Sequence, residues 1–323
     1  MNKNAIITAF LGGVKNRYMQ YEPNRTIEEK IQLATKISDL QGFELCYPQD
    51  FEDLALLKKL LNDNGFGVSA INVRSRRQGK WWRGSFSSVQ ESDRKEVIAD
   101  FQKAMDVAAE MGVNRITTCP LNEGNDYVFE MDYLDAYKYT EETFHAICSH
   151  NKEIKVCIEY KQNDPRTRSL IGSAGEALVL CQNVGIENLG VTLDIGHSIQ
   201  AGERPAQSVA LLHRANRLFY VHLNDNDRNW DWDLLPASFH LWETVEFMYY
   251  LQKIGYKNDW YAYDVMSKEI DTAQTFSVVN KITRKLEKLA ESLDEKKIKM
   301  LMQQRNPVSS IEYLFDTLVT RES

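Results

Sequence analysis

Val191-Thr192-Leu193-Asp194-Ile195-Gly196-His197 sets an Asp, a Gly and a His at the end of a run of apolar and β-branched residues. Such a run packs into a sheet, and polar groups at its end sit where a strand meets its loop. Asp194 and His197 are three residues apart, and Gly196 between them lets the backbone turn. A carboxylate and an imidazole placed this way are metal-capable groups that can face one cavity. The plainer alternative is a buried Asp that caps the next turn beside an unrelated His. Neighbouring segments decide between the two, because they end in the same manner. Residues 155–161 (KVCIEYK) give Glu159 and Lys161, two apart and therefore on one face of a strand. Residues 218–224 (LFYVHLN) give His222, and residues 260–265 (WYAYDV) give Asp264. The stretch after residue 224 adds Asp225, Asp227, Asp231 and Asp233.

Carboxylates and imidazoles gathered in one pocket repel one another or lose solvation unless a cation joins them. A divalent ion resolves the conflict. Oxygen-rich ligands with one or two imidazoles suit Mn²⁺ first, with Mg²⁺, Co²⁺ or Zn²⁺ as alternatives.

The elements that must position these groups follow from periodicity. Strands are expected at residues 5–11, 43–47, 67–73, 115–121, 155–161, 189–197, 218–224 and 260–265. Helices are expected between them. Thr26-Ile27-Glu28-Glu29 and Ser173-Ala174-Gly175-Glu176 are capping-box sequences, and Pro205 suits a first helical turn. Ile27, Ile31, Ala34 and Ile37 keep a helical period, with Gly42 as the stop. Further helices are expected at 54–61, 93–111, 134–150, 205–215, 239–254 and 275–293. Eight strand–helix alternations with short links imply an α/β fold, a parallel sheet closed into a (β/α)8 TIM barrel over residues 1–293. Reactive groups in such a barrel sit at the C-terminal ends of the strands, where the acids and imidazoles above fall. Residues 294–323 form a C-terminal extension, helical near 311–318, expected to pack under the barrel or against another subunit.

The composition agrees. The chain has 323 residues, 43% of them hydrophobic, and a net charge of −7 with its basic residues dispersed. That argues against nucleic acid as partner, which needs a concentrated basic face. The five cysteines lack CxxC spacing, and the first residues lack an apolar secretory core, so reduced thiols and a cytoplasmic location are expected. No stretch reaches the length of a membrane span. The loop 74–89 is unusual in carrying Arg74, Arg76, Arg77, Lys80, Trp81, Trp82 and Arg83. It reads as a site wall, a subunit contact or a solvated loop, and two adjacent tryptophans argue against full exposure.

Glu159-Tyr160-Lys161-Gln162-Asn163-Asp164-Pro165-Arg166 resembles the Glu-x-Lys-x-x-x-Pro signature of metal-dependent aldose isomerases of the xylose isomerase and L-rhamnose isomerase type. Leu193-Asp194-Ile195-Gly196-His197 resembles their next strand. Val221-His222-Leu223-Asn224-Asp225 and Asp231-Trp232-Asp233 resemble the strand-seven ligand and the Asp-x-Asp pair of a second metal. The resemblance implies that Glu159, Asp194, His222 and Asp264 hold a first metal, and Asp194, His197, Asp231 and Asp233 a second. It also implies that Lys161 contacts the carbonyl oxygen at C1. Lys161, Glu159 and Asp264 are then the catalytic groups, and Lys161, His197, Arg228, Asn72 and Trp81 bind substrate. The implied activity is interconversion of aldose and ketose in a small unphosphorylated sugar, in a homodimer or homotetramer.

Two departures matter. The six histidines are His145, His150, His197, His213, His222 and His240, so none lies on strands one to four, where xylose isomerases place a ring-opening His. The strand-seven ligand is His222, as in rhamnose-type enzymes and ketose 3-epimerases. A ketose 3-epimerase is the alternative, and Arg228, six residues after His222, matches that pattern. Against it, Asp264 is one methylene shorter than the second glutamate of that mechanism, and Lys161 favours the isomerase. An endonuclease IV-like hydrolase needs more histidine ligands and a basic surface. A non-catalytic sugar-binding barrel is the remaining alternative.

Overall fold

Strand follows helix until the last strand pairs with the first. In the computed structural model, which describes residues 1–77, 79–268 and 270–319, β1 (Lys3–Ile7), β2 (Gly42–Tyr47), β3 (Gly67–Val73) and β4 (Arg115–Thr118) pair in parallel in that order. They continue into β5 (Lys155–Glu159), β6 (Leu189–Asp194), β7 (Leu218–Leu223) and β8 (Trp260–Tyr263), and β8 closes the barrel on β1. The helices are α1 (Ile27–Ala34), α2 (Leu54–Asn64), α3 (Glu91–Glu110), α4 (Tyr133–His150), α5 (Ala174–Val184), a short α6 (Ile195–Gln200), α7 (Pro205–Arg214), α8 (Leu241–Lys253) and α9 (Thr272–Ser292). The fold is the expected (β/α)8 TIM barrel. Among the described residues, no helix is long and apolar enough to cross a membrane.

Each strand is buried on both faces, which is why the strands read as near-continuous apolar runs. Outward residues such as Phe43, Ile71, Val156, Leu193 and Val221 join the core beneath the helices. Inward residues Ala5, Ile7, Cys46, Ala70, Cys157, Tyr220 and Ala262 form a separate cluster inside the barrel. Alternation then fixes the site. Glu159, Asp194, His222 and Asp264 lie two positions beyond the inward-facing Cys157, Thr192, Tyr220 and Ala262, on the same inner face at the C-terminal rim.

The capping box at Thr26 forms in full, with Thr26 N donating to Glu29 Oε2 at 2.8 Å and Glu29 N to Thr26 Oγ1 at 3.3 Å. Ser173 caps α5, but the Glu176 carboxylate takes the amide of Gly172 (2.6 Å), so the reciprocal half expected there is absent. Gly42 does not stop α1, which ends at Ala34. It opens β2, where an added Cβ would lie 2.2 Å from the Gly67 carbonyl oxygen. The first strand is shorter than expected: Thr8–Leu11 is a 3₁₀ turn, and the Thr8 hydroxyl donates to Asp50.

The loop 74–89 is anchored at residues 84–88, which are buried, while Arg76, Trp82 and Arg83 are exposed. The buried carboxylate of Glu123 accepts from the amides of Ser85 (2.5 Å), Phe86 (3.0 Å) and Ser87 (3.0 Å). Beyond the barrel, α10 (Glu295–Gln304) and α11 (Pro307–Leu318) fold back on the outer face of α8, with the Trp242 and Phe315 ring centroids 5.3 Å apart.

Candidate active site

β6 ends at Asp194, earlier than the apolar pattern suggests, because its side chain starts the next helix. Asp194 Oδ1 accepts the His197 amide at 2.8 Å as the N-cap of α6. Its other oxygen, Oδ2, accepts from Asn224 Nδ2 at 3.1 Å and lies 3.9 Å from His222 Nδ1. Asp194 therefore caps the turn with one oxygen and faces His222 with the other. Gly196 serves space, not backbone conformation. It sits in the helix, and an added Cβ would lie 2.4 Å from Asn224 Oδ1.

Ligand atoms of Glu159, Asp194, His222 and Asp264 all lie within 4.8 Å of one another. His222 Nδ1 is 3.0 Å from Glu159 Oε1. Asp264 has no hydrogen bond or ion pair among the described residues. Burial, then the Glu159 and Asp194 charges, push its carboxyl up to about 8. Burial alone would raise Glu159 too, but His222, His197 and Lys161 outweigh it and hold Glu159 at about 2. Three carboxylates and one imidazole, crowded and strained in this way, are a donor set that fits a divalent cation.

Beside the cluster, Lys161 lies just past the end of β5, with its ammonium 2.8 Å from Asp231 Oδ2 and 3.1 Å from Asp164 Oδ2. Burial opposes its charge, but Asp231, Asp164 and Asp233 prevail, and it stays firmly protonated. His197 Nε2 is 3.1 Å from the same Asp231 oxygen, and its Nδ1 is 3.4 Å from Glu159 Oε1. Burial lowers His197, yet Asp194, Asp231 and Glu159 raise it to about 10. Asp231 thus has two cationic partners from the protein itself. Asp233 Oδ1 is buried without a partner, and burial, then Asp231 and Asp264, push Asp233 well up. Among the described residues, the group of metal-capable side chains that converges within 4.8 Å is Glu159, Asp194, His222 and Asp264; His197, Asp231 and Asp233 stand beside it, with His197 on Asp231.

Glu159, Lys161, His197, Asp231, Asp233, Asp264 and Asn72 line one cavity of about 320 Å³. Two residues expected to touch substrate do not line it. Trp81 is only 4% exposed and packs beneath Arg77 and Lys80, whose charges lie 5.2 and 4.8 Å from its ring centroid. Arg228 turns outward, giving Nη1 to the Ile199 carbonyl (3.3 Å) and Nη2 to Glu243 (3.0 Å). Trp82, Trp230 and Trp232 are also outside the lining.

Glu44 is the residue that the sequence reading missed. Fully buried on β2, its Oε2 lies 2.9 Å from His222 Nε2, and its Oε1 accepts from Asn72 Nδ2 at 2.6 Å. The signal was present: one Glu inside the apolar run Gly42-Phe43-Glu44-Leu45-Cys46-Tyr47 must find a partner if the strand is buried. Glu44 fixes the imidazole with Nε2–H toward itself and Nδ1 toward the cluster, a common support for a ligating His.

Comparison with known proteins agrees with this architecture. A xylose isomerase domain protein from Alicyclobacillus acidocaldarius superposes with a TM-score of 0.68 at 16% identity, over 90% of this chain and 99% of that one. D-psicose 3-epimerase from Clostridium cellulolyticum H10 gives 0.68 at 15% identity, over 88% and 99%. L-ribulose 3-epimerase gives 0.70 at 16%, over 93% and 98%. At these identities the likeness is one of fold. The sequence profile of the xylose isomerase-like TIM barrel family matches residues 32–266, from α1 through the last barrel strand, and with that span the chain belongs to this family.

Proposed function

We propose that this protein is a metal-dependent sugar isomerase that moves hydrogen between C1 and C2 of a small sugar, interconverting aldose and ketose. The observation that carries the reading is that a firmly protonated Lys161 lines one cavity with Glu159 and Asp264, the two members of the four-ligand cluster that reach it, while Asp194 and His222 complete the cluster from behind. Moving hydrogen between adjacent carbons develops negative charge on the sugar oxygens. A divalent cation held by the four ligands supplies Lewis-acid polarisation of those oxygens. Lys161, anchored on Asp231 and Asp164, places a fixed ammonium where it stabilises the same charge at the carbonyl oxygen. His197 is braced by Asp231 and capped into α6, so it offers a fixed N–H to a sugar hydroxyl. Ser85, Phe86 and Ser87 of the loop after β3 are held by the Glu123 carboxylate, which anchors the far end of the segment that carries Arg74 and Arg76. A hydride shift under these groups needs no carbon base, whereas a proton-transfer route does.

A ketose 3-epimerase is the second reading. The observation in its favour is the opposed protonation of Glu159, held at about 2 and so ionised, and Asp264, raised to about 8 and so a ready acid. The outward turn of Arg228 removes the other support for it. The test is a panel of aldoses and ketoses incubated with Mn²⁺ and followed by NMR for isotope movement at C1, C2 and C3. Conversion between aldose and ketose with label movement at C1 and C2 is expected. Exchange at C3 alone replaces the isomerase by the epimerase, and no conversion after metal loading refutes both.

A further inference from the structure

We propose that the sugar bound here carries an oxyanion, a carboxylate or a phosphate, held by Arg74 and Arg76 with Lys15 on the β1–β3 side of the cavity. The proposal rests on the sugar-site reading and narrows its substrate class.

The cavity has two chemically different halves. The ends of β5 to β8 bring the acids and their counter-charges. The segments after β1 and β3 bring Lys15, Arg74 and Arg76, with the apolar Ile7, Phe10 and Val14 between. Several arginines elsewhere in this protein, buried or half-buried, have a carboxylate of their own. Arg77, next in the chain, reaches Asp100 at 2.7 Å, and Arg166 and Arg115 reach Asp126 and Asp259 at 2.8 and 2.5 Å. The cavity arginines differ. Among the described residues, Arg76 makes no hydrogen bond or ion pair, and the Arg74 guanidinium donates only to Cys46 Sγ, at 3.1 Å. Burial, then the charge of Arg74, weaken Arg76's hold on its proton, so the two guanidinium groups oppose each other.

Asp264 is the carboxylate whose charge bears on both, with Glu44 acting on Arg74 as well, and Asp264 belongs to the four-ligand cluster. Once a cation takes that carboxylate, Arg74 keeps Glu44, but the carboxylate charge acting on Arg76 is spent. Arg74 is half-buried and Arg76 reaches solvent, yet both line the same cavity, where two neighbouring guanidinium groups draw an anion. They are the groups best matched to the fork of a carboxylate or phosphate. A neutral hydroxyl leaves the charge unpaired. The same cavity must hold the reacting carbons over Lys161, so the oxyanion is part of the substrate.

The experiment is calorimetric binding to the full-length, Mn²⁺-loaded protein of hexuronates, hexose 6-phosphates and the neutral hexoses matched to them in stereochemistry. The wild type is compared with Arg76→Gln and Arg76→Lys, and Mn²⁺ affinity and thermal melting are recorded for each. The expected result is at least one anionic sugar binding about tenfold or more tighter than its neutral match. Arg76→Gln erases most of that ratio, Arg76→Lys keeps part of it, and Mn²⁺ still binds. Whether the uronate or the phosphate wins names the source of the oxyanion. Neutral sugars binding as tightly, no binding by any member, or a ratio unmoved by Arg76→Gln overturns the proposal. An anionic preference without turnover would instead refute the isomerase reading and leave this one standing.

Discussion

His222 Nε2 lies 2.9 Å from Glu44 Oε2, so the imidazole that faces the ligand cluster is oriented from behind by a carboxylate on the far side of the barrel. Glu44 itself is steadied by Asn72 at 2.6 Å. Replacing Glu44 with Gln keeps the shape and removes the charge that fixes the tautomer. Divalent-ion affinity should fall about 10- to 100-fold, as for other carboxylates that support a ligating His. Calorimetry with Mn²⁺ measures it, and an unchanged affinity would remove the orienting role.

Asp194 separates into two functions by atom. Asp194→Asn retains a capping oxygen for the His197 amide, and Asn is as good an N-cap as Asp. It loses the anionic charge facing His222. Metal binding and metal-dependent turnover should collapse while the melting temperature of the metal-free protein stays within a few degrees. A large loss of stability with metal binding intact would mean that the cap is the residue's main role.

Lys161→Met tests the ammonium. Turnover should drop about 10²- to 10³-fold, the usual effect of removing one preorganised group that stabilises developing charge. Asp231 keeps His197 at 3.1 Å, so the fold should survive. Unchanged kcat with a raised KM would make Lys161 a binding group only.

Gly196→Ala sets two effects against each other. Alanine in a helix is worth about 1 kcal/mol over glycine. Here the new methyl would meet Asn224 Oδ1 at 2.4 Å. Asn224 cannot swing away, because it bonds both Asp194 Oδ2 and the Gly196 amide. Overpacking of this kind costs about 1–3 kcal/mol, so net destabilisation is expected, together with weaker metal binding through the displaced Asp194. Equal stability in chemical denaturation would show that the site has slack.

The metal-free protein should lose stability as pH rises through neutrality. Folding raises Asp264 from 3.8 to about 8 and His197 from 6.5 to about 10. In both cases the folded chain holds the proton more tightly than the unfolded chain. The stabilisation is full below the unfolded value and is lost as pH climbs to the folded one. Both groups lose it together between pH 6.5 and 8, and His197 continues to about 10. Saturating Mn²⁺ should flatten this slope, since the ion takes over the neutralisation of Asp264. Differential scanning fluorimetry from pH 6 to 9, with and without Mn²⁺, measures both curves. A metal-free melting temperature that rises over that range would contradict the assignment.

The barrel and most of its rim could be read in the chain because two periodicities coincide. Strand alternation at Cys157/Glu159 and Tyr220/His222 places one residue in the core and the next ligand-capable residue above it. Boundaries at the rim were harder, since there side-chain hydrogen bonds end the strands. Asp194 stops β6 by capping α6, and the residues after Ile7 turn into a 3₁₀ segment. Tryptophans and arginines near the site misled where composition stood in for direction. Trp81 is tucked under two cations, and Arg228 answers Glu243 on α8. Glu44 stands out as one acid inside an apolar run but its partner is far away in sequence, and Arg76 carries little local pattern. Their meaning appears only when β2 and β3 are brought beside β7 and β8.

The most direct test is anomalous diffraction from crystals of the protein grown or soaked with Mn²⁺. The account predicts an ion about 2.0–2.2 Å from oxygens of Glu159, Asp194 and Asp264 and from Nδ1 of His222, with Nε2 still on Glu44. An ion bound elsewhere, coordination through Nε2, or no ion at saturating Mn²⁺ would contradict it.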